Sequence, residues 1–178
     1  TKLSAATKQS TETYDNVWKF ANWYQNDGNP NVQSVQFSGR FQYEYANVDS
    51  TQDSHSEWNV RRMRLGVKTK LFHQITLHFE GELNPQEADP FYLRLTDFNV
   101  AWSRSNSLSV MFGKQGVPFT MDGSTSSNEL LTIDRSNLAN NMWFSQEYMP
   151  GLSVSGGRSN WTYRVGAYSA GERNREFG

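Results

Sequence analysis

No run of apolar residues in this chain approaches the roughly 18 to 20 that a membrane-spanning helix needs, so helical spans are excluded. Cysteine is absent, and the formal net charge is only −1. That balance, without any basic patch interleaved with aromatics, predicts no nucleic-acid partner. Histidines number three: His55 in a polar stretch, His73 at a turn signal and His78 in an alternating segment. No metal-ligand spacing, phosphate-cradling glycine loop or paired-carboxylate site stands out, so neither metal nor cofactor is expected. Thr1 is followed by no basic-then-apolar leader, which leaves a mature or a cytoplasmic chain as the expectation. None of these absences excludes a β-barrel, in which only alternate residues of each strand need be apolar.

What the chain does have is aromatic residues, 14% of the total, and they are spread through polar sequence instead of gathered into core-like runs. The most informative stretch is Val60 to Leu71, V-R-R-M-R-L-G-V-K-T-K-L. A period of two places Arg62, Arg64, Gly66, Lys68 and Lys70 on one face. Met63, Leu65, Val67, Thr69 and Leu71 then fall on the other. The same alternation recurs from Gln33 to Asn47, Gln74 to Leu83, Leu93 to Trp102, Ser107 to Lys114, Gly151 to Gly156 and Trp161 to Ala170. Seven strands are therefore expected, each with one apolar or aromatic face. Thr1 to Ser10 reads as a poorly ordered polar lead, and Tyr14 to Tyr24 as a short helix or plug-like segment. These divide the chain into an N-terminal segment, 1–32, and a partial barrel, 33–178.

The connections alternate in length. A polar loop of about ten residues precedes the second strand, a tight turn sits at His73, and a proline-bounded loop spans Pro85 to Pro90. Short turns follow at Arg104 to Asn106 and at Gly157 to Asn160, with a long connection, 115–150, between them. Segregation of long and short loops is what an outer-membrane barrel shows and what a soluble β-sandwich has no reason to show. Tyr43, Tyr45, Trp58, Phe72, Trp102 and Trp161 fall near strand ends, where interfacial girdles favour an apolar ring with a polar handle. The lack of cysteine is compatible with the envelope of a Gram-negative cell. The fold class expected is thus all-β, a transmembrane antiparallel barrel in lipid. A soluble carbohydrate-binding β-sandwich is the alternative outside the membrane class.

Several motifs together resemble the phosphate-selective porin O and P family: R-R-M-R-L-G-V at Arg61 to Val67, L-T-D-F-N-V-A-W at Leu95 to Trp102, G-K-Q-G-V-P-F at Gly113 to Phe119 and T-S-S-N-E-L-L-T-I-D-R-S at Thr125 to Ser136. The resemblance covers about Val35 to Gly171 in order. It implies a 16-stranded, homotrimeric barrel of the Gram-negative outer membrane whose third long loop enters and narrows the lumen, passing small anions such as phosphate along Arg and Lys side chains. Two departures are visible: the strands stop at less than half such a barrel, as a fragment would, and Gly116 stands where the family often has Lys, with Lys114 two residues upstream.

For the lumen, Arg40, Arg62, Arg64, Lys68, Lys70 and Arg164 are expected to face inward and to raise the local anion concentration. The resemblance adds Lys114 and, at the constriction, Arg135. Glu44, Glu80, Glu82 and Asp97 share the inner face, so Arg62 and Arg64 are equally readable as wall salt bridges with Glu80 and Glu82. Arg135 is as readable as an anchor of the loop through Asp134, and Thr125, Ser126 and Ser127 as caps of a helix suggested by N-E-L-L. Lys68 and Lys70 would face Thr76 and Gln74, with no obvious acidic partner. A His78, Glu80 and Ser109 hydrolase constellation is set aside because the face assigned to His78 is luminal, so no enzyme is expected. Within the porin class, a general, cation-preferring or sugar-tolerant pore is the alternative.

Overall fold

Strands that alternate polar and apolar residues cannot bury one face without another layer, and here they form a single layer. The computed structural model describes residues 19–49, 54–87, 89–118, 120, 124–125, 136 and 147–169. They contain one antiparallel sheet of eight strands in sequence order. Its strands are β1 (Asn22–Gln25), β2 (Val32–Asp49), β3 (Ser54–Leu71), β4 (Ile75–Leu83), β5 (Tyr92–Ser105), β6 (Leu108–Gly116), β7 (Tyr148–Arg158) and β8 (Trp161–Tyr168). The fold is all-β, as the alternation predicts.

The strand number differs from the expectation by one. Residues 22–24, read from sequence as the end of a short helix or plug-like segment, lie in β1, which pairs with β2. Pairing with a long neighbour satisfies backbone groups that a helix of so few turns would hold only marginally. Trp23 also stacks on Phe37, with ring centroids 5.6 Å apart. The expected polar loop before the second strand is shorter than predicted, because β2 runs to Asp49 and β3 starts at Ser54. His55 accordingly lies in β3, bonded to Glu57 at 3.0 Å. The expected poorly ordered lead, most of the plug-like segment, the N-E-L-L helix and Arg135 lie outside the described residues.

Register explains which residues share a face. Arg64 is opposite Arg40 on β2 and Glu82 on β4, Lys68 opposite Gln36 and His78, and Lys70 opposite Ser34 and Thr76. The turn after β3 carries Phe72 and His73 at positive φ, 50° and 62°, so that Leu71 pairs with Ile75. Lys68 therefore faces His78 and not Thr76, and Lys70 faces Thr76 and not Gln74. Among the irregularities that break strict alternation, two bear on the inner face. Between β2 and β3 the register shifts after Gln42 and Arg62, leaving Arg61 as an extra residue. Between β4 and β5 it shifts after Glu80 and Asp97, leaving Thr96 extra, so that Glu82 meets Arg94. Such bulges change which side chains point inward without ending the ladder.

The layer is inverted relative to a soluble sheet. Among the described residues the buried hydrophobics are Leu95 and Ala101, whereas the buried polar side chains include Gln33, Arg64, Glu82, Thr96, Asn99 and Gln115. The apolar face is open: Phe41 is 66% exposed, Phe112 68% and Val165 71%. A water-soluble monomer rarely leaves so continuous an apolar surface uncovered, and a lipid-facing wall requires it.

Curvature assigns the concave side. Arg64 on β3 donates to the Tyr148 hydroxyl oxygen on β7 at 2.7 Å. Four strand spacings, roughly 19 Å along a sheet at about 4.8 Å each, separate them. The two side chains cannot bridge that distance over a flat sheet, so the sheet curls around its polar face. Gly113 assists at one point: it has a φ of +117°, and a β-carbon there would stand 2.3 Å from the Phe98 carbonyl oxygen. No larger residue is accommodated without moving β5.

Candidate functional site

The inner face divides into two electrostatic zones. Toward the turn between β3 and β4, Lys68 and Lys70 are exposed, and their cross-strand neighbours Gln36, Ser34 and Thr76 are neutral. His78, opposite Lys68, lies between Ser38, whose Oγ is 3.4 Å from Nε2, and Asp97, 3.7 Å from Nδ1. Among the described residues no carboxylate pairs with either lysine. These ammonium groups remain hydrated point charges on flexible stems.

Nearer the opposite end, guanidinium groups and carboxylates interlock. Glu82 Oε1 accepts from Arg64 Nε and Nη2, each at 3.2 Å, and its Oε2 accepts from Arg94 Nε at 2.6 Å. Arg94 Nη2 lies 3.6 Å from Glu147. The Tyr148 ring stands 5.3 Å from the Arg64 guanidinium and 5.5 Å from that of Arg94, within cation–π range. Burial is deep: the Arg64 side chain is 2% exposed and that of Glu82 7%. Of the two wall pairings expected from sequence, one exists. Glu80 is opposite Gly66, and Arg62 reaches neither Glu80 nor Glu82. Instead Arg62 Nη1 donates to the neutral Gln42 Oε1 at 2.8 Å, while its neighbour Arg61 pairs with Glu44 at 3.0 Å. Both adjacent arginines reach the inner face because of the bulge.

The other expected cations are placed as follows. Arg40 lies half-buried opposite Arg64. Arg164 on β8 donates to Gln115 Oε1 at 2.8 Å and to the Gly116 carbonyl at 3.2 Å, with Ser153 Oγ donating to the same Gln115 oxygen at 2.6 Å. Lys114 is buried, on a rung with Phe98 and Pro150. Arg135 lies outside the described residues. Sequence reasoning missed Arg61, Arg94 and Tyr148: the first two because alternation without bulges puts them on the outer face, the third because it falls in the expected long connection. Ser109 is bonded to Ser103 at 2.8 Å and has no link to His78. Among the described residues no group of three His, Cys, Asp or Glu side chains is disposed to hold a metal ion.

This arrangement separates stability from field. Arg64→Gln is expected to lower thermal stability, whereas Arg62→Gln leaves stability within about 0.5 kcal/mol. Arg62→Gln should instead reduce the anion-to-cation permeability ratio, by roughly twofold for one charge near the conduction path. Melting curves and reversal potentials of the two variants check this, and an unstable Arg62→Gln protein would contradict the assignment.

An antiparallel sheet curled around a charged, wet face, with an apolar and aromatic outer face, defines a segment of a transmembrane pore wall. The family profile described as phosphate-selective porin O and P matches residues 35–178, and the chain belongs to that family of outer-membrane porins, channels and not an enzyme class. No curated protein and no solved structure matches the chain.

Proposed function

We propose that this chain forms part of the wall of an anion-preferring outer-membrane diffusion pore of Gram-negative bacteria, embedded as a homotrimer, through which small phosphate-like anions pass. The observation that carries this reading is the pair of exposed lysines, Lys68 and Lys70, on the concave face without a carboxylate partner among the described residues. Arg62, bonded only to a neutral amide, extends the positive field along the same strand. Fixed cations on a low-dielectric wall lower the entry barrier for anions and raise it for cations. Arg64 does not act as an independent pore cation, since its charge is matched within the wall by Glu82. The connection from 117 to 147, between β6 and β7, is the segment that would narrow the lumen, with Arg135 as a charge at the constriction. Lys114, Arg40 and Arg164 support the wall around it.

The test is the reversal potential of the full-length protein in a planar bilayer under a KCl gradient. A sign corresponding to anion preference is expected. The opposite sign would establish the cation-preferring alternative.

A further inference from the structure

Tyr148 occupies a position that its strand alone does not require. It is the first residue of β7, yet its ring and hydroxyl are engaged by side chains of β3 and β5. Arg64 and Arg94 both lie against the ring, Glu82 joins the two guanidinium groups, and Glu147 closes the set on Arg94. Two positive and two negative charges thus surround one phenol, and the set has no net charge. The Val117 amide donates to the Glu147 carbonyl oxygen at 3.0 Å, so the chain leaving β6 is tied to the chain entering β7 at this point. Gly116, paired with Tyr148, leaves the space in which the ring lies: a β-carbon there would meet the ring edge at 3.7 Å, an ordinary contact, but a longer side chain would compete with the ring for the same volume.

We propose that Tyr148 is a positioning residue that locks the junction of β6 and β7 to the far wall and holds Arg64 and Arg94 in a charge-neutral clamp, so fixing the cross-section of the pore at this level. The inference rests on the pore reading above. Its physical basis is that a flat aromatic ring 5.3 and 5.5 Å from two guanidinium groups gains from both at small entropic loss, while the hydroxyl, accepting from Arg64, fixes the position of the ring's outer end. A purely aliphatic residue would fill the volume without orienting either cation.

Single-channel recordings of full-length protein carrying Tyr148→Ala, Tyr148→Phe or Arg94→Gln separate the possibilities. Tyr148→Ala and Arg94→Gln, which break the clamp from opposite sides, are expected to raise open-channel current variance on the order of twofold or more and to change mean conductance. Tyr148→Phe keeps the ring and loses only the hydroxyl, and is expected to restore most of the parental trace. Selectivity should stay near parental in both Tyr148 variants, which change no charge, whereas Arg94→Gln leaves the set with one excess negative charge and is expected to lower the anion preference. Parental noise and conductance in both clamp-breaking variants, or a Tyr148→Phe trace no better than that of Tyr148→Ala, would overturn the inference while the parent still conducts. A parent that opens no channel would overturn the pore reading as well. Should Tyr148→Ala fail to insert, Arg94→Gln against Tyr148→Phe decides the matter alone.

Discussion

Glu82→Gln is expected to destabilise the sheet by about 3–5 kcal/mol, the usual penalty for removing one partner of a buried ion pair. Glu82 is the only carboxylate within ion-pair distance of both Arg64 and Arg94 among the described residues. Its neutral replacement would leave the Arg64 guanidinium, 2% exposed, with a hydroxyl partner and an aromatic face but no counter-charge. The loss is so large because burial prevents water from compensating. Glu80→Gln provides the control. Glu80 is half-buried and opposite Gly66, and its carboxylate accepts from Thr96 Oγ1 at 3.4 Å, so a change below about 1 kcal/mol is expected. Thermal or denaturant unfolding of the detergent-solubilised protein measures both. Equal melting curves for the two variants would show that the Arg64 cluster is not the stabilising unit described.

The second large effect concerns conduction. In Lys68→Gln/Lys70→Gln the anion-to-cation permeability ratio should fall about fivefold at low salt. Each charge contributes about 0.5 kcal/mol to an ion passing at roughly 8 Å in water-like dielectric, and two such terms add to about 1 kcal/mol, a factor of about five. Stability should hardly move, since both side chains are exposed and lack an ion-pair partner among the described residues. Raising the salt should shrink the difference between parent and variant as the Debye length shortens. A permeability ratio that does not respond to the double substitution would remove both lysines from the conduction path.

The two predictions divide the basic strand in a way that its sequence only half discloses. From V-R-R-M-R-L-G-V-K-T-K-L alone, a period of two gives the strand, its inner face and the inward direction of Lys68 and Lys70. The contrast between hydrated lysines and a buried Arg64 depends on what stands across the ladder, and that depends on register. Register in turn is set by the turn at Phe72 and His73, where two non-glycine residues adopt positive φ, a conformation that no residue pattern there announces. Arg94 is the clearest case. Counting by twos from Phe98 puts it outside, but Thr96 is taken up in a bulge, fully buried with its hydroxyl donating to the Glu80 carbonyl oxygen at 2.9 Å. One local hydrogen bond thereby carries Arg94 to the inner face. Tyr148 was illegible for another reason: its partners are distant in sequence, and only the curl of the sheet brings them together. The first strand, β1, escaped because its aromatic residues fit a helical period as well as a strand's.

The irregularity at Arg61 has a bearing on how this chain tolerates changes of length. Immediately on either side of it the ladder between β2 and β3 is regular, with Gln42 opposite Arg62 and Tyr43 opposite Val60. Removing that single residue would let the upper part of β3 slide by one step into uninterrupted pairing with the same partners, so Trp58 would still face Tyr45 and Asn59 still face Glu44. A one-residue deletion elsewhere in β3 would turn the strand's lipid-facing side chains toward water. The position is thus a place where the gene can gain or lose a codon, and with it one guanidinium group, while the remaining pairing is conserved.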